Sequence, residues 1–97
     1  MATKQDDVQF LMSKVIIHSY IYYVFNSSIL TDNEYDTLSI EVAKAIKEKP
    51  NEARKHRDYE LFEDFDGSTG YGLVGDDSYW LDRANIVMWA YESRNEK

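Results

Sequence analysis

Thr31-Asp32-Asn33-Glu34-Tyr35-Asp36-Thr37-Leu38-Ser39-Ile40-Glu41-Val42-Ala43-Lys44-Ala45-Ile46-Lys47-Glu48-Lys49-Pro50 is the stretch that decides the fold class. It opens with Thr-x-x-Glu, the pattern of a capping box. The Thr31 hydroxyl can accept from the backbone N–H three residues on, and Glu34 can reach back to the N–H of Thr31. Tyr35, Leu38, Val42, Ala45 and Ile46 then recur at helical spacing, with Glu34, Thr37, Glu41, Lys44 and Glu48 on the opposite side. Pro50 disfavours helical backbone at the residue before it, so the helix ends near Lys49.

Toward the N-terminus, Asn26-Ser27-Ser28 is a polar break, and residues 6–25 read as another helix. Its stripe is Val8, Leu11, Val15, Ser19 and Tyr22, flanked by Met12, Ile16 and Tyr23. The run from Val15 to Phe25 is β-branched and aromatic enough for a strand. The helical period begins before that run and continues into it, which favours a helix. Toward the C-terminus, Asn51 is placed to cap a short turn through Arg57. A long Gly/Asp-rich loop follows, with Phe62, Phe65 and Tyr71 as apolar anchors. Asp77 or Ser78 can cap a last helix from about Tyr79 to Arg94, with Trp80, Ala84, Val87, Met88 and Tyr91 at helical spacing. The expected fold is all-α: a single domain over 1–97 with three main helices and one long ordered loop.

A chain of 97 residues has room for one modest core. A hydrophobic fraction of 43% and an aromatic fraction of 14% are too high for a disordered tail. With no cysteine there is no disulfide framework and no thiolate metal site. No apolar run approaches the roughly 20 residues of a membrane span, and the first residues lack the apolar core of a signal peptide. These features fit a cytoplasmic protein that does not engage membranes. The formal net charge of −7 argues against direct nucleic-acid binding.

That charge is localised. Glu60, Glu63, Asp64, Asp66, Asp76 and Asp77 fall between positions 60 and 77 with no Lys or Arg among them. The rest of the chain carries 12 acids and 11 bases. A calcium loop counted from Asp64 needs a bidentate Glu at its twelfth position, where this chain has Gly75, so no metal is expected there. No Gly-Lys-Ser/Thr follows the glycines, so the loop is not a Walker-type phosphate cradle. His18 and His56 are the only histidines, and no nucleophile–base constellation is legible around them. Tyr20, Tyr22, Tyr23 and Tyr35 cluster around the first break, as core packing or as a stacking pocket for a planar ligand.

The segment Ile17-His18-Ser19-Tyr20-Ile21-Tyr22-Tyr23-Val24-Phe25-Asn26-Ser27-Ser28-Ile29-Leu30-Thr31-Asp32-Asn33-Glu34-Tyr35-Asp36-Thr37-Leu38 resembles the N-terminal helical domain of NAD-dependent DNA ligases. That family carries a histidine and paired tyrosines on one helix, then a short loop, then a helix opening with Asp-x-Glu-Tyr-Asp. The resemblance covers about a quarter of the chain and implies a pocket for the nicotinamide mononucleotide half of NAD. By position it implies Tyr22, Tyr23, Asp32, Tyr35 and Asp36 as ligand-binding residues, with NAD or NMN as the ligand. Tyr23 stands where the ligases usually have a nucleotide-contacting histidine. No Lys-x-Asp-Gly motif is present, and Phe65-Asp66-Gly67 keeps only its last two residues. The chain therefore reads as a non-catalytic binding module rather than an enzyme. Short stand-alone proteins of this kind occur in bacteriophages, which implies the host cytoplasm as the setting. The alternative expectation is a protein-interaction module, such as an inhibitor of a host DNA-binding or defence enzyme. In it Glu60, Glu63, Asp64, Asp66, Asp76 and Asp77 imitate phosphates against a basic host protein.

Overall fold

The computed structural model describes residues 7–67 and 70–95, with the backbone alone at 71 and 95. Among these residues the secondary structure is entirely helical. Helix α1 spans Val8–Tyr23 and α2 spans Asp32–Glu48. A single turn, α3, covers Pro50–Ala53, and α4 covers Ser78–Asn95. Two short 3-10 turns, Tyr59–Phe62 and Tyr71–Leu73, shape the segment that was expected as a plain loop.

The capping box of α2 is complete. Thr31 Oγ1 accepts from the Glu34 N–H at 3.1 Å, and Glu34 Oε1 accepts from the Thr31 N–H at 2.9 Å. Asp7 caps α1 by accepting from the Gln9 N–H at 2.9 Å. Asp77 caps α4, accepting from the Tyr79 N–H at 2.9 Å. Asn51 does not cap. Pro50 takes the first position of α3, where its fixed φ suits a helix start and its missing N–H costs nothing. Asn51 lies inside that turn and accepts from Arg54 Nη1 instead, at 3.3 Å.

The core face of α1 also differs from expectation. Val8, Met12, Val15, Ile16, Ser19, Tyr20 and Ile21 are buried, whereas Tyr22 and Tyr23 are exposed. The face is wider than one stripe and turned toward Met12, Ile16 and Tyr20, because α1 packs against α2 on one side and α4 on the other. Leu38, Ser39 and Val42 bring α2 onto it, and Trp80 and Ala84 bring α4. The expected outer residues of α2, Glu34, Thr37, Glu41, Lys44 and Glu48, are all exposed. Phe62 is buried and Phe65 half-buried, as anchors should be, and Leu73 joins them in the core. The Tyr71 side chain, the third expected anchor, lies outside the described residues.

The chain between α3 and α4 is tied down by His56 and Asp58. His56 Nδ1 accepts from the Asp58 N–H at 3.0 Å, which leaves the ring proton on Nε2 to be donated to Ser13 Oγ of α1 at 2.9 Å. Asp58 Oδ2 accepts from Trp80 Nε1 and from Arg57 Nη1, both at 2.7 Å. The His56 ring lies parallel to Trp80, with centroids 6.1 Å apart. No described helix is long and apolar enough to cross a membrane.

Candidate ligand-binding site

The end of α1 and the start of α2 face one another across the turn at 24–31. Asn26 adopts a φ of 54°, the left-handed conformation that asparagine tolerates better than most residues. The chain reverses there, and the first turn of α2 comes back beside the last turn of α1.

A cleft of about 240 Å³ lies in this corner. His18, Tyr22 and Tyr23 line it from α1, and Asp32, Tyr35 and Asp36 from α2, with Ser28, Ile29 and Leu30 between. All five residues singled out for ligand binding in the sequence are therefore brought together. Every lining side chain falls within residues 18–36. Phe62 packs instead against His56 and Phe65, away from the cleft.

The walls are aromatic. Tyr22 and Tyr35 have ring centroids 6.0 Å apart and planes inclined by only 24°. Tyr23 meets Tyr22 edge-on at 4.8 Å. Tyr22 is 46% exposed, whereas Tyr35 is half-buried and fixed by its hydroxyl, 2.7 Å from the buried Ser19 Oγ. Burial is the main reason the Tyr35 phenol is held above its ordinary pKa of 10.0, so it stays protonated at neutral pH.

His18, for which the sequence showed no catalytic constellation, lines the cleft as well. It sits one helical turn before Tyr22 on the same face of α1, the spacing that could have flagged it. Burial, and then Lys14, lower its pKa from 6.5 to about 4. It is neutral at pH 7, and its Nδ1 is buried without a hydrogen-bond partner among the described residues. The two carboxylates, Asp32 and Asp36, are exposed at the rim.

Sequence reasoning also missed the support behind the aromatic wall. Gly70 packs against the Tyr35 hydroxyl and Ser19 Oγ so closely that a Cβ at this position would overlap both atoms. Gly67, at φ +89°, lies over the carbonyl of Ser39, and the Gly75 N–H donates to the Tyr20 hydroxyl at 3.1 Å. Gly67, Gly70 and Gly75 thus strap this segment to α1 and α2 behind the cleft. No local pattern in the sequence signals a contact between residues so far apart.

The acidic residues are divided. Asp77 is committed to capping α4, and its Oδ2 accepts from Arg57 Nη2 at 3.4 Å. Glu60, Asp64 and Asp66 line a separate hollow of about 400 Å³ with Leu61, Phe65, Gly72 and Leu73. Glu63 and Asp76 are exposed and outside that hollow. Among the described residues, no group of three or more His, Asp or Glu side chains is arranged to hold a metal ion.

No protein-family model, curated protein or solved structure is detectably similar to this chain.

Proposed function

We propose that the chain is a non-catalytic domain that binds the nicotinamide half of NAD, NMN or a related nicotinamide compound in the α1–α2 cleft. It would be a counterpart of the N-terminal domain of NAD-dependent DNA ligases, acting in the cytoplasm. The observation that carries this reading is the cleft itself. Tyr22, Tyr23, Asp32, Tyr35 and Asp36 converge on one concavity, with two tyrosine rings nearly parallel across it.

The chemistry suits a pyridinium ring. Its positive charge favours the faces of Tyr22 and Tyr35, and the carboxylates of Asp32 and Asp36 accept from ribose hydroxyls or the carboxamide NH2. Two rings gripping a flat guest need about 7 Å between them, twice a van der Waals contact of about 3.5 Å. The ring centroids stand 6.0 Å apart, so the planes are no farther apart than that and open by at least about 1 Å on binding. Tyr22 is the ring that moves, because Tyr35 is pinned to Ser19.

Size sets the affinity. Ligand pockets usually measure about 300–1,000 Å³, so a cleft of about 240 Å³ takes one ring and its sugar rather than a whole dinucleotide. A nicotinamide nucleoside has about 18 non-hydrogen atoms. At ~0.3 kcal/mol each, that gives a Kd of roughly 0.1–1 mM. Isothermal titration with NAD, NMN and nicotinamide riboside tests this. Saturable binding in that range, lost in Tyr22→Ala and Asp36→Ala, is the expected result. Absence of binding by all three ligands rejects the reading.

A second reading draws on the hollow ringed by Glu60, Asp64 and Asp66 over an apolar floor of Leu61, Phe65 and Leu73. Such a surface suits a basic partner protein that carries an apolar anchor. Reversing the charge of Glu60 and Asp64 should abolish capture of that partner and leave nicotinamide binding intact. Unchanged capture rejects this second role.

A further inference from the structure

Resting on the nicotinamide reading of the same cleft, we propose that it selects the positively charged nucleoside, nicotinamide riboside, over its 5′-phosphate. A protein usually holds a phosphate with cationic side chains or with the free N–H groups of a helix N-terminus. This cleft has no cationic side chain in its lining, and the helix N-terminus at its rim carries carboxylates of its own.

The cleft is lined by two carboxylates, Asp32 and Asp36, and by no Lys or Arg. Its one titratable nitrogen base, His18, is kept neutral by burial until about pH 4 and cannot answer an anion at neutral pH. Lys14, one turn earlier on α1, lines a different hollow that it shares with Glu34 and Glu41.

The N-terminus of α2 lies at the rim and would otherwise attract an anion. Its capping box already uses the Glu34 N–H, bonded to Thr31 Oγ1, and the Thr31 N–H, bonded to Glu34 Oε1. The carboxylates of Asp32 and Glu34 stand in the first turn and offset the helix's partial positive charge.

A pyridinium nucleoside brings one positive charge to this negative rim. Its 5′-phosphate adds close to two negative charges to the same negative rim. The pairs are exposed, so each repulsion is modest, but they share a sign and sum. At about 10 mM ionic strength, where the Debye length of about 30 Å leaves the cleft unscreened, nicotinamide riboside should bind about fivefold more tightly than NMN. Near 1 M salt, with a Debye length of about 3 Å, the difference should shrink toward nothing.

Parallel calorimetric titrations of the full chain with the two ligands, at both ionic strengths, test the proposal. The doubly neutralised Asp32→Asn/Asp36→Asn variant should bring the two affinities together. NMN binding as tightly as the riboside, or more tightly, at low salt overturns the proposal and leaves the nicotinamide reading standing. In that case loss of the NMN advantage in Lys14→Gln identifies Lys14 as the phosphate's partner. A preference for the riboside that survives both high salt and the Asn variant also overturns it, because the cause would then be shape. No binding of either ligand rejects this proposal and the nicotinamide reading together.

Discussion

Tyr35 has two tasks at one position. Its ring forms a wall of the cleft, and its hydroxyl is tied 2.7 Å from Ser19 Oγ beneath the core surface. A single hydrogen bond of this kind contributes ~0.5–1.5 kcal/mol, so Tyr35→Phe should lower stability by about that amount in urea denaturation. His18, on the opposite wall, carries a pH signature. In the unfolded chain it takes up its proton near 6.5, but burial in the fold delays this to about 4. Between those values the unfolded state binds more protons, so stability falls as pH falls from about 6.5 toward about 4. His56, lowered mainly by burial, adds to the same trend. His18→Gln should therefore flatten, without abolishing, the loss of urea midpoint between pH 7 and about pH 4.5. A slope identical to the parent chain's would mean that His18 is not held neutral in the fold.

At the scale of elements, the strap from Gly70 to Gly75 ties the cleft to the rest of the protein. Gly70 is where it touches the Tyr35 and Ser19 oxygens, and only a residue without a side chain fits there. Gly70→Ala should destabilise the fold by ~1–3 kcal/mol through overpacking. Removing the hydroxyl that the new methyl meets should relieve part of the damage. Gly70→Ala/Tyr35→Phe is thus expected to be more stable than the sum of its single changes, a coupling readable by a double-mutant cycle in urea. Strict additivity would show that the strap does not bear on Tyr35. Helices α2 and α4 were legible because they carry strong local punctuation: Thr31, Glu34 and Pro50 for one, Asp77 and the Trp80–Ala84 spacing for the other. The buried face of α1 was misjudged because Tyr22 and Tyr23 score as apolar although their rings line an open cleft. Tyr20 and Ile21 are buried because a second helix covers that flank. The roles of Ser19 and Gly70 depend on contacts across 16 and more residues, which no window of sequence shows.

At the scale of the whole molecule, the radius of gyration is 13.2 Å, close to the about 12.5 Å expected for a compact chain of this length. One small core supports both the cleft and the acidic hollow. Leu73, 1% exposed, carries the strap into that core and also lines the acidic hollow. Leu73→Ala should cost ~2–5 kcal/mol and lower the thermal midpoint in a single transition. Two separate transitions would contradict the one-core description. The five positions suggested by the ligase-like segment came together in space because they sit on the two facing ends of one helix–turn–helix. The acidic stretch was legible as charge, but its division into a helix cap at Asp77 and a hollow around Asp64 was not, since both depend on distant partners. Chemical-shift mapping of the 15N-labelled chain with nicotinamide riboside discriminates most directly between cleft and hollow. Saturable shifts at His18, Tyr22, Tyr23 and Asp32–Asp36 are predicted, with Glu60–Asp66 unmoved. An unchanged spectrum, or shifts confined to residues 60–73, would contradict a nicotinamide site between α1 and α2.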